Sequence, residues 1–197
     1  MEKKQINAIV VLLVAAIVLQ GIYAINSNSP VFDEPSYVIQ GVAQLQSGDF
    51  DIGKGNPPLM KYFAGVLPYL MGIRLPEEYE TGFDKENAIE FETVFKSKLA
   101  PREIIFLSRL PTLILTVLTA LLVFVFARRL YGDLAALFSL FLIAFSPIVL
   151  AHGTLATLDI GTAFFIFLSM YLFWKFWEKP SNKSFVLMAS ATGLAIA

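Results

Sequence analysis

The sequence contains no cysteine and a single histidine, His152. Disulfide frameworks and thiolate metal sites are thereby excluded, and a His-rich metal centre cannot be assembled within these 197 residues. Charge is scarce as well. Asp, Glu, Lys and Arg make up 16% of the chain, against roughly a quarter in soluble domains. The net charge is −1 and the basic residues form no patch or stripe, so the electrostatic footprint of a nucleic-acid-binding protein is missing. What fills the chain is apolar: 56% hydrophobic and 14% aromatic residues, with a mean hydropathy of +0.66. That balance belongs to a lipid-embedded protein.

The apolar residues fall into runs. Residues 6–25, "INAIVVLLVAAIVLQGIYAI", follow Lys3 and Lys4 and reach the roughly 20 residues that span a bilayer as a helix. A signal peptide also begins with lysines, but its apolar core is only about 7–15 residues long and ends at a small-residue cleavage site. This run is longer and "YAINSNS" is a poor site, so an uncleaved anchor is expected. Further spans are expected at about 103–127, 134–150 and 158–177. A fifth, at 184–197, is still apolar where the sequence stops, as in the amino-terminal part of a longer membrane protein. The expected fold is an all-α integral membrane protein, a multi-pass transmembrane helix bundle with a large extracytoplasmic first loop.

Sidedness follows from the excess of Lys and Arg on the cytoplasmic side. Lys3 and Lys4 place the N-terminus in the cytoplasm, and counting crossings returns Arg128, Arg129, Lys175, Lys179 and Lys183 to the same side. Residues 26–102 then form the outer loop, and "AHGTLATLD" a short turn on the same face of a cell membrane. Within the loop, "SYVIQGVAQLQ" sets Val38, Val42 and Leu45 at helical spacing opposite Gln40, Gln44 and Gln46. The pattern suits a short helix lying along the membrane surface. "PPLMKYFAGVLPYLMGI" is short for a span and carries prolines, which suits a second interfacial or re-entrant helix. Residues 77–92 hold seven acids and one lysine, reading as a solvated loop or, less simply, a docking surface for a basic partner.

Six residues on the outer side are candidates for chemistry. Asp33 and Glu34 follow the first span in "FDEPSY". Asp33 suits a helix cap with Pro35 in the first turn. It also suits a carboxylate base at the membrane interface. Lys61, in "NPPLMK", suits either a snorkelling side chain or a ligand for a lipid phosphate. Arg109, in "FLSRLPT", lies inside an apolar span, where ionisable residues are costly and face a protein interior or a watery cavity; reach to the outer headgroups is the other reading. Arg102, at the membrane edge, suits an interfacial anchor. Asp159 opens a later span, as a cap or as a polar group lining an outer cavity, and His152 suits a hydrogen bond between helices or a substrate contact. "DFD", 49–51, matches the D-x-D pattern of metal-dependent glycosyltransferases. Two acids in three residues arise often by chance, so no metal and no cofactor are expected, a divalent cation at Asp49 and Asp51 being the lesser reading.

The order of these pieces carries a resemblance. One span, "FDEPSY", "NPPLMK", and then "SRLPTLILTVLTALLVFVFARRLYGDLAALFSLFLIAFSPIVLAHGTLATLD" resembles the amino-terminal part of the polytopic glycosyltransferases of the GT-C class. It is most similar to the dolichyl-phosphate-mannose protein O-mannosyltransferase family, over nearly the whole chain apart from 77–92. Asn56 and Met60 stand where that family usually has histidine and glycine, and aminoarabinose transferases acting on lipid A share the layout. The resemblance implies inverting transfer of a sugar from a polyprenyl- or dolichyl-phosphate carrier to an acceptor hydroxyl, on protein or glycolipid, at the outer face. It implies Asp33 as base with Glu34 orienting the acceptor or tuning Asp33. Lys61 and Arg109 would stabilise the leaving phosphate, with His152 and Asp159 lining the substrate cavity. Two rivals stand beside it. A transporter would show interrupted helices around a midplane site, and a membrane scaffold would need no chemistry.

Overall fold

The computed structural model describes residues 2–48, 50–53, 55–76, 89, 92–94 and 96–197. Helix dominates, and no strand occurs among the described residues. Helix α1 is Lys3–Ser27, α2 Asp33–Ser47, α3 Pro58–Leu70, α4 Pro101–Tyr131, α5 Asp133–Ala144, α6 Pro147–His152, α7 Asp159–Glu178 and α8 Asn182–Ile196. Three of them, α1, α4 and α7, are long and apolar enough to cross a membrane. At 1.5 Å per residue the 25 residues of α1 extend about 37 Å, more than the roughly 30 Å of a hydrocarbon core. The chain divides into two compact units, one of Met1–Ala24, Leu113–Thr154 and Asp159–Ile196, the other of Ile25–Thr112 and Leu155–Leu158.

The first unit holds most of the apolar length. Ile6 and Ile17 of α1, Ala120 and Phe124 of α4, and Ala136, Leu137, Leu140 and Ala144 of α5 form one buried cluster. Gly21 lets α1 approach α4, since a Cβ there would run into the side chain of Leu113. Phe126 stacks among Phe167, Tyr171 and Trp174, and Arg129 lies 4.8 Å from the Trp174 ring while its Nη2 donates to Glu178 at 2.7 Å. The run expected as one span at 134–150 is broken. Pro147 has no N–H to continue a helix, α5 stops at Ala144, and Ser146 caps α6 by accepting from the Val149 N–H at 3.4 Å.

The second unit is a small helical domain. Val38, Ile39, Val42, Ala43, Ile52, Ile73, Leu75 and Ile104 form its core, with Tyr69 and Leu99 packed against it. Helices α2 and α3 meet where both carry glycine. A Cβ on Gly41 would strike the Lys61 carbonyl, and one on Gly65 the backbone of Gly41 and Val42. Gln46 stitches the end of α2 to the chain after α3: its Nε2 donates to the Leu75 carbonyl at 3.2 Å and its Oε1 accepts from the Leu75 N–H at 2.9 Å. This packing puts protein over the polar face of α2. Gln40 and Gln44, set on the solvent side by the sequence pattern, are 5% and 4% exposed, because α3 and the turn at 50–53 cover that face.

Candidate active site

The site is organised by Glu34 and Arg109, 75 residues apart in sequence and both almost fully buried in the second unit. Arg109 Nε donates to Glu34 Oε1 at 2.7 Å and Nη2 to Oε2 at 2.6 Å, the side-on fork that gives arginine–carboxylate pairs their geometric specificity. The remaining N–H groups go to main-chain carbonyls: Nη1 to Ile25 at 3.2 Å and Asn28 at 3.0 Å, Nη2 to Ser29 at 3.0 Å. Guanidinium has five N–H donors, and here each has an acceptor. The Glu34 carboxylate is equally occupied, also accepting from the Val31 N–H at 2.9 Å and the Ala156 N–H at 2.7 Å. One ion pair therefore ties together the 25–31 segment, the start of α2, α4 and the 155–158 segment.

Asp33 stands apart from this network. It is exposed and makes no hydrogen bond or ion pair among the described residues. Helix capping does not account for it: Phe32 occupies the cap position without a side-chain bond, Asp33 is already the first helical residue, and Glu34 makes the backward reach to Val31. The adjacent pair thus splits into one carboxylate sealed inside and one presented outward.

Residues 8–197 match the family model described as dolichyl-phosphate-mannose-protein mannosyltransferase. The chain belongs to this family. No curated protein and no solved structure matches the chain. Family membership and the three long apolar helices together make it a membrane protein of a glycosyltransferase family.

Within this mannosyltransferase-family chain, the other expected site residues take different places. Lys61 is 2% exposed, on α3, and its Nζ donates to the Gly53 carbonyl at 2.5 Å. The ammonium is thus directed at the 50–53 turn. Arg109 has no N–H left over for a phosphate, so both cations expected at the leaving group are turned to protein acceptors. His152 ends α6 and Asp159 begins α7, in the first unit, with Nδ1 and Oδ2 3.3 Å apart and both side chains more than half exposed. Thr116 of α4 donates to the neighbouring Gly153 carbonyl at 3.0 Å, fixing the turn that carries His152. Of the "DFD" acids, Asp49 lies outside the described residues; among those described, no group of three or more His, Asp or Glu side chains could hold a metal ion. The acidic stretch is likewise outside them at 77–88, 90 and 91. Sequence reasoning missed the Ile25, Asn28 and Ser29 carbonyls and the Ala156 N–H, since main-chain groups carry no residue-type signal.

Proposed function

We propose that the protein transfers a mannose-like sugar from a polyprenyl- or dolichyl-phosphate carrier to a Ser or Thr hydroxyl of a protein on the outer face of the membrane, with Asp33 as the base. The observation that carries this reading is the exposed Asp33, without a partner among the described residues, beside a buried, saturated Glu34–Arg109 pair. A hydroxyl is a weak nucleophile at neutral pH and needs a base within hydrogen-bond reach. In the step proposed, the acceptor oxygen attacks the anomeric carbon as its proton passes to Asp33. The bond from that carbon to the phosphate oxygen breaks, and the lipid phosphate leaves with the electron pair. Attack from the face opposite the leaving group inverts the anomeric centre.

Glu34 and Arg109 act in this scheme as positioning residues. Their network fixes the backbone on both sides of Asp33, which keeps the base from wandering; misplacement of a reacting group by about 1 Å can cost a hundredfold in rate. The test uses the protein in nanodiscs with a radiolabelled polyprenyl-phosphate mannose and a Ser/Thr-rich peptide. Asp33→Asn should abolish transfer, leave donor binding unchanged and leave the unfolding temperature within a degree or two of wild type. Transfer at the wild-type rate by Asp33→Asn rules the base assignment out, and transfer to a glycolipid but never to peptide rules out the acceptor.

A further inference from the structure

With Lys61 and Arg109 both directed at protein acceptors, the question is which cation meets the donor's phosphate. Arg102, in the first turn of α4 and beside the site, has most of its guanidinium N–H groups without acceptors among the described residues. It is exposed, has no acidic partner among the described residues, and makes a single hydrogen bond, from Nη2 to the Asn26 carbonyl at 2.7 Å. That bond tethers the guanidinium and leaves its other N–H groups without acceptors among the described residues. Glu103, its neighbour in sequence, is occupied: its Oε2 accepts from the Ala100 N–H at 2.9 Å.

Arg102 borders two clefts within the second unit. One, of about 510 Å³, runs along residues 26–29. There the side chains of Ser27, Asn28 and Ser29 are exposed and make no protein hydrogen bond among the described residues. The other, of about 330 Å³, has apolar walls that include Met71, Phe106 and Leu107. A hydroxyl- and amide-bearing pocket, a tethered guanidinium and an apolar trough in that order match an amphiphile with a sugar, a phosphate and a hydrocarbon tail. Arginine suits the middle position because its fork matches phosphate oxygens and stays charged.

We propose that Arg102 binds the phosphate of a polyprenyl-phosphate sugar, with the sugar over residues 26–29 and the first isoprene units against Met71, Phe106 and Leu107. This rests on the glycosyl-transfer reading above and adds to it the seat of the donor headgroup. As the charge on the carbon–oxygen bond passes to the phosphate, a guanidinium already in place stabilises the leaving group without reorganising.

The experiment measures donor binding without turnover, in nanodiscs of neutral lipid, with a tritiated polyprenyl-phosphate mannose. Arg102→Gln should weaken binding about tenfold to a hundredfold, the scale of losing one or two hydrogen bonds to a charged group. Arg102→Lys should recover part of it. Unlabelled polyprenyl phosphate should compete at the donor's own concentration, while inorganic phosphate and phosphatidylglycerol should need far more. Unchanged donor affinity in Arg102→Gln, with its unfolding temperature intact, overturns the assignment. Equal competition by phosphatidylglycerol does so too, because Arg102 is then an anchor for bulk headgroups, and equal competition by inorganic phosphate removes the role of the trough. Asp33→Asn separates the two proposals. Loss of transfer with donor binding intact supports the base, and any change in the Arg102 series is read independently of it.

Discussion

Replacing Arg109 by methionine gives the strongest test of how the site is held. The side chain is 1% exposed and its Glu34 partner fully enclosed, so Arg109→Met leaves a carboxylate buried without its counter-charge. Removing one member of a buried pair costs about 3–5 kcal/mol. The three carbonyls of Ile25, Asn28 and Ser29 lose their donor as well, which sets the expectation toward the upper end of that range. The absence of native cysteine supplies the assay. A single Val42→Cys substitution places a thiol in the core of the second unit, at a position with no exposure, where a maleimide dye reaches it only through opening. Labelling in the Arg109→Met background should be faster by about a hundredfold to a few thousandfold, since each 1.4 kcal/mol is a factor of ten. Glu34→Gln should fall in the same range, because its amide oxygen still accepts one N–H but the buried guanidinium loses its counter-charge. The double variant should cost less than the sum, as expected for residues in direct contact. Labelling of Arg109→Met at the parent rate would refute the claim that this pair organises the domain.

Two further outcomes follow from the packing. Gly41→Ala puts a methyl against the Lys61 carbonyl and the Gly65 Cα, both backbone, so neither neighbour can yield; a loss of about 1–3 kcal/mol is expected for such overpacking, read by the same Val42→Cys labelling, and an unchanged rate would show that α2 and α3 separate freely. His152→Ala breaks a pair whose members are both more than half exposed; exposed pairs contribute about 1 kcal/mol or less, so the unfolding temperature should stay within a few degrees. A fall in transfer at constant stability would then assign His152 to substrate, whereas unchanged transfer removes it from the site.

The sequence made some of this legible and hid the rest for definite reasons. Apolar length alone located α1, α4 and α7, because a bilayer sets a minimum run and the composition met it. Arg109 stood out as an ion in an apolar helix, and the adjacent acids stood out as a pair. That Arg109 and Glu34 belong to each other was not legible, since nothing in either residue specifies a partner 75 positions away. The break at Ser146–Pro147 did have a signal, a cap residue followed by proline at the first helical position, outweighed by the hydropathy of its flanks. The glutamines of α2 misled for another reason. An amphipathic pattern separates polar from apolar faces, but it does not say whether water or protein lies over the polar one. Here Gly41 and Gly65 bring α3 down on it.

The division of labour within "FDEPSY" follows from helix geometry. Successive residues on an α-helix project about 100° apart, so the two side chains of an acidic dipeptide at a helix start leave the helix in different directions. If Glu34 takes the inner position against Arg109, Asp33 is carried outward, and the longer side chain is the one that reaches Arg109 Nε and Nη2, Val31 N–H and Ala156 N–H together. The shorter acid, with one methylene fewer to order, is left at the surface on a backbone pinned from three sides. A base needs to be rigid in position and free in its lone pairs. Those demands conflict in a single buried carboxylate, whose rigidity comes from the bonds that occupy it; the base role proposed for Asp33 divides them between two neighbours on one helix turn.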